Sequence, residues 1–173
     1  MILFECNKNT KQSSIKRITG GVKMKAVVLH GPNDFATEEI KKPEIGDHEM
    51  LLKMRKAAIC GTDMRIFAGT KTKGIRYPSV VGHEMCGDIC EVGKEVEGFR
   101  AGDRVSIANV IPCGSCPACL EGRENACMNR KAIGYEFDGG FEEYVLLPEI
   151  LIKSGNVVKL PEDVSYTAGA LIE

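Results

Sequence analysis

The 173-residue chain has no tryptophan, no apolar run near the roughly 18 residues of a membrane span, and no excess of either charge. The missing apolar run argues against a transmembrane helix. Twenty-three Lys and Arg stand against 24 Asp and Glu, a formal net charge of −1, so no overall basic field attracts nucleic acid or anionic lipid. Neither G-x-G-x-x-G nor G-x-x-x-x-G-K-[ST] occurs, which removes the two commonest nucleotide-phosphate signatures. No secretion signal is expected either, since Met1-Ile2-Leu3-Phe4 is too short for an apolar signal core and Glu5 follows at once. No internal repeat or low-complexity block is visible. What remains is an ordinary globular balance, 43% hydrophobic and 27% charged, together with 19 Gly and eight Cys. The length suggests one domain and allows a core that needs no disulfides.

The cysteines are Cys6, Cys60, Cys86, Cys90, Cys113, Cys116, Cys119 and Cys127, half of them within fifteen residues. A disulfide framework belongs to short secreted chains. Reduced thiols in a cytoplasmic protein are therefore expected, and clustered reduced thiols hold metal.

Residues 1–23 are polar and basic without periodicity, which fits a disordered leader, an upstream start or a targeting peptide. From Met24 the chain reads as short strands between Gly, Pro, Asn and Asp, with strands expected at 25–30, 50–59, 89–92, 104–107, 141–147 and 157–160. Such punctuation predicts a mainly β barrel or sandwich. Helices are few: a turn or two over 63–67, and one capped by Ser165 running through 166–173. Gly139-Gly140 reads as a hairpin turn.

Cys113, Cys116, Cys119 and Cys127 form C-x2-C-x2-C-x7-C, with Gly114, Pro117 and Gly122 supplying turns. Four thiolates on one loop can surround Zn²⁺ tetrahedrally. The first three spacings also open an iron–sulfur run, but that run continues x3-C-P, whereas here seven residues intervene and Met128 follows Cys127. Zinc is favoured, in a closed and therefore structural site over 113–127.

Two further fragments matter jointly. Cys60-Gly61-Thr62-Asp63 and Gly82-His83-Glu84 together offer a thiolate, an imidazole and a carboxylate, each beside a Gly. Three mixed ligands leave a fourth position open, which distinguishes a catalytic zinc.

The stretch Gly82-His83-Glu84-Met-Cys-Gly87, continuing to Gly93 and Val96, resembles the signature of the zinc-containing medium-chain alcohol dehydrogenases. Cys60-Gly-Thr-Asp, Gly102-Asp103-Arg104-Val105, the four-cysteine lobe and Asp138-Gly139-Gly140-Phe141 follow the family's order. The closing Ala170-Leu-Ile-Glu173 resembles its polyol- and threonine-dehydrogenase-like branch. The resemblance implies a GroES-like catalytic domain over 24–173. It implies Cys60 and His83 as zinc ligands, Glu84 or Glu173 as the acidic one, Thr62 as the hydroxyl taking the substrate proton, and Asp63 as the group orienting His83. It further implies one catalytic and one structural zinc, and NAD(P) as hydride acceptor for a small alcohol or polyol. The whole protein would be free to oligomerise.

Where many relatives carry a relay His, Arg65 stands here, and Arg cannot accept a proton near neutral pH. Either the relay leaves through water, or Arg65 faces an anionic substrate or cofactor phosphate. His30 and His48 are expected in surface or capping roles, Cys86 and Cys90 as fillers, and the basic runs 53–56 and 71–76 as solvated faces or loops. No dinucleotide-binding half is present, so the chain is expected to be half an enzyme, inactive alone. A stand-alone zinc-binding structural or interaction module is the alternative, and a thiol-based metal-storage or redox protein a third.

Overall fold

The computed structural model describes residues 21–172. Most of the expected leader, with Cys6, and the candidate ligand Glu173 lie outside the described residues. Strand β1 (Lys23–Gly31) alternates Met24, Ala26 and Val28 inward with Lys23 and Lys25 outward, the period of two that a half-buried strand requires. The chain reverses at Asn33, whose φ of 59° suits a tight turn, into β2 (Asp34–Lys41). Sequence reading did not anticipate β2. None of its residues is fully buried, and neighbouring Glu38 and Glu39 blur the alternation. β1 pairs on its other edge with β4 (Ser79–Val80), closing a three-stranded sheet in the order β2-β1-β4.

The larger sheet has the order β10-β6-β5-β3-β9, built from β3 (Met50–Ala58), β5 (Glu84–Val92), β6 (Arg104–Ile107), β9 (Tyr144–Leu147) and β10 (Val157–Lys159). Its pairs are all antiparallel. β3 begins fully buried at Met50, Leu51 and Leu52, then turns outward at Lys53, Arg55 and Lys56, so the basic run is an exposed strand end. Met50, Leu52, Met85, Ile89, Val105, Val145 and Leu147 form the main core. A short ribbon, β7 (Val110–Ile111) with β8 (Lys131–Ala132), carries the four-cysteine lobe at its tip.

Helices are short, as expected: α1 (Gly61–Phe67), α2 (Pro117–Leu120), α3 (Glu149–Lys153) and α4 (Tyr166–Ala170). Ser165 caps α4 by accepting from the Ala168 N–H at 3.1 Å, but the helix ends at Ala170 rather than running on. Ser106 Oγ donates to the Gly169 carbonyl at 2.7 Å and ties α4 to the sheet.

Gly139-Gly140 is not a hairpin turn. Both residues are buried, the Gly139 N–H donating to Val80 O at 2.9 Å and the Gly140 N–H to Gly82 O at 2.8 Å. A Cβ on Gly139 would stand 2.1 Å from Gly82 O and 2.6 Å from Gly134 Cα. Three backbones thus meet where no side chain fits, and this contact supports the residue before His83. Among the described residues, no helix is long and apolar enough to cross a membrane.

Candidate metal centres

The lobe over 113–127 has almost no apolar core. Cys116, Ala118 and Cys127 are its buried members, while Leu120 and Met128 lie open to solvent. Local backbone bonds shape it: Leu120 N–H to Cys116 O, Gly122 N–H to Cys119 O, and Arg123 N–H to Ala118 O. These turns bring the four sulfurs together, with separations of 4.0 Å for Cys113–Cys119, 3.5 Å for Cys116–Cys119 and 3.9 Å for Cys116–Cys127. Sulfurs bound at the corners of a zinc tetrahedron stand about 3.8 Å apart, so the donor set fits that ion.

The proton balance agrees. N–H groups of Ser115 and Cys116 aimed at its sulfur bring the Cys113 thiol down to about 6, and N–H groups of Cys119 and Met128 lower Cys116. Burial, and then the sulfurs of Cys116 and Cys127, push Cys119 up to about 12. Four sulfurs this close do not all ionise unless a cation balances them.

The second centre is assembled from distant parts of the chain. Cys60 leaves β3 and caps α1: its Sγ accepts from the Thr62 N–H at 3.2 Å, and its own N–H donates to Asp63 Oδ2 at 2.9 Å. His83 follows Gly82, whose φ of 98° turns the chain from β4 into β5. Its Nε2 lies 2.9 Å from Cys60 Sγ. Glu84 opens β5 opposite Ala58, and the ligand atoms of Cys60, His83 and Glu84 all lie within 4.8 Å of one another.

Asp63 joins the two halves. Its Oδ1 stands 3.3 Å from His83 Nδ1, with both side chains buried. That contact is an ion-pair distance without hydrogen-bond alignment, and both atoms otherwise lack a partner. Burial opposes charge on His83, but Asp63 and then Cys60 outweigh it and raise the imidazole to about 9. The carboxylate behind Nδ1 turns Nε2 toward the sulfur, an arrangement suited to a metal-bound imidazole.

Thr62 accepts from Arg65 Nη2 through Oγ1 at 2.9 Å, which places the guanidinium on the candidate relay hydroxyl. Tyr135 is a site residue that sequence reading missed. Its ring meets His83 edge-on with centroids 5.5 Å apart. Burial, then the Cys60 and Asp63 charges, raises its phenol, while Thr62 and Arg65 pull the other way. The only signal was an aromatic between Gly134 and the Asp138-Gly139-Gly140 segment, and its relation to His83 is wholly tertiary.

His30 pairs with Glu38 across the first hairpin at 2.6 Å and His48 lies 3.7 Å from Glu149, so neither reaches a cysteine cluster. Cys86 is fully buried and Cys90 half-buried, each bonded to a backbone carbonyl.

Residues 46–162 match the family described as the alcohol dehydrogenase GroES-like domain. The L-threonine 3-dehydrogenase of Shewanella sp. (strain ANA-3) is 43% identical over 134 residues, which is 76% of this chain and 38% of that protein. A zinc-binding dehydrogenase from Sinorhizobium meliloti 1021 bound to NADP superposes with a TM-score of 0.78 at 35% identity, over 87% of this chain and 42% of that one. Galactitol-1-phosphate dehydrogenase from Escherichia coli gives 0.76 at 36% identity, over 87% and 42%. The chain thus spans well under half the length of these relatives.

Proposed function

The chain belongs to the zinc-dependent medium-chain alcohol and polyol dehydrogenase family, through its GroES-like domain, and we propose that it is the metal- and substrate-binding half of such an enzyme. The observation that carries this reading is the Cys60–His83–Glu84 cluster with Asp63 behind the imidazole. Cys60 and His83 hold the catalytic zinc, with Glu84 or Glu173 as the acidic ligand, and the four lobe cysteines hold the structural one. Bound there, zinc supplies a Lewis acid that stabilises negative charge on a substrate oxygen.

The chain's own groups prepare the rest. Asp63 keeps His83 in the orientation that directs Nε2 at the metal position. With one lone pair of Thr62 Oγ1 taken by Arg65, the other can accept the alcohol proton while the Thr62 O–H passes one onward. Arg65 is not the next acceptor, so the proton continues to water. Hydride leaves to NAD(P), bound outside this chain, and the substrate is a small alcohol or polyol oxidised to a carbonyl.

Metal analysis tests this directly. Zinc-replete protein should hold about two zinc ions per chain. Cys60→Ser and His83→Ala should each bring the count to about one, and Asp63→Asn should weaken the cleft site roughly 10–100-fold. Of Glu84→Gln and Glu173→Gln, the one that weakens it similarly identifies the acidic ligand. A count of two retained in Cys60→Ser would sink the proposal.

A further inference from the structure

Near Thr62 the described residues gather cations that neither accept nor deliver the reaction's proton. Arg65 donates to Thr62 Oγ1 at 2.9 Å. The segment after α1 folds back on that residue, with the Thr70 and Lys71 N–H groups both donating to Arg65 O, at 2.9 and 3.1 Å. This brings the half-buried Lys71 ammonium to 4.6 Å from the centre of the Tyr135 ring, the ring that packs edge-on against His83. Lys71 also bonds the Lys73 carbonyl.

None of Arg65, Lys71, Lys73 and Arg130 makes an ion pair among the described residues, although thirteen such pairs occur elsewhere. The nearby Glu136 carboxylate accepts from the Ala132 N–H at 2.8 Å and partly offsets the Lys71 charge without forming an ion pair with it. Burial above all holds the Lys71 ammonium below the ordinary lysine range. Glu136 opposes this, and Lys73, Arg65 and Arg130 add to the lowering. Cations held together against their mutual repulsion, beside a hydroxyl next to the ligand cluster, gain most when an anion joins them.

We infer that Arg65 and Lys71 form an anion subsite, so that the substrate is an alcohol carrying a carboxylate or phosphate a few bonds from the reacting hydroxyl. The inference rests on the dehydrogenase reading above and names its substrate class. Arg65 offers a planar fork fitted to two oxygens, and Lys71 a point charge over the Tyr135 ring. The guanidinium touches the proton-accepting hydroxyl itself, which places the anion at the substrate end of the cleft rather than at a remote cofactor phosphate.

The test uses the zinc-loaded whole protein that carries this chain, titrated calorimetrically with glycerol 3-phosphate, glycerate and glycerol, with zinc content measured on the same samples. The anionic alcohols should bind roughly tenfold tighter than glycerol or better, and the arm with the larger gain distinguishes phosphate from carboxylate. Arg65→Gln and Lys71→Gln should each remove a large part of that preference and the double variant all of it. Arg65→Lys should restore part. With two zinc ions bound, equal binding of glycerol and its anionic analogues overturns the inference alone. So does a preference that survives the double variant, or a double variant that loses only discrimination between NADP(H) and NAD(H). A cleft that takes no zinc overturns both the inference and the reading beneath it.

Discussion

The two cysteine-containing centres are built by opposite means. In the lobe, all four donors come from one stretch of fifteen residues, and what surrounds them is turn, charge and solvent. In the cleft, Cys60 and His83 are 23 residues apart, and each is placed by a strand end, a cap or a glycine contact that exists only in the folded barrel. Under the proposed function the lobe relies on metal in place of a core. The cleft relies on the core and presents its donors already oriented. Under the proposed function one ion organises structure, whereas the other is received by structure.

The largest expected effect is on the lobe. Structural zinc contributes about 10–16 kcal/mol of apparent binding energy in small peptides, comparable with the whole stability of a domain. Chelation, or Cys127→Ser, should open 113–127 to limited proteolysis at least about tenfold faster while the strand signal in circular dichroism persists. A lobe that stays protected without metal would show that its fold does not depend on the ion.

Backbone packing should reverse the ranking. Gly139→Ala drives a methyl to 2.1 Å from Gly82 O and should cost about 3 kcal/mol or more, displacing His83 and lowering zinc affinity at the cleft alone. Gly114→Ala meets nothing within 4 Å and bears only the strain of a φ of 71°, about 1 kcal/mol. Denaturation midpoints and site-resolved metal content for the two variants check this. Equal losses would show that the glycine contact does not support the cleft.

A smaller effect concerns Glu142, which bridges to Ala26 of β1. Burial, with a contribution from Asp138, raises the Glu142 carboxyl to about 9, so it is protonated in the native state at neutral pH. The unfolded chain releases that proton near the ordinary Glu value. Native protein therefore binds the extra proton between about pH 4.5 and 9, and stability falls across that window as pH rises. Relative to Glu142→Gln, the wild type should lose on the order of 1 kcal/mol per pH unit in that range and be level with it below. Urea midpoints of the two proteins at pH 4.5 and 7 measure this, and parallel pH curves would contradict it.

The division between what was legible and what was not follows the same line. Spacing alone exposes the lobe, because its donors are neighbours along the chain and turn residues lie between them. The mainly β class was legible from alternation and punctuation, and a turn or two over 63–67 from the residues after Cys60, within the helix that runs over Gly61–Phe67. β2 escaped because an edge strand with no fully buried residue leaves little periodic trace. Gly139-Gly140 misled because a glycine pair serves a sharp turn and a close backbone approach equally, and only the approach of Gly82 and Gly134 decides between them. Residue types and order determined the candidate ligands and the family. Tertiary structure decided that Asp63 stands behind His83, that Tyr135 packs edge-on against that imidazole, and that Lys71 lies over the Tyr135 ring. Those are contacts between segments far apart in sequence, set by packing and close approach rather than by any local spacing.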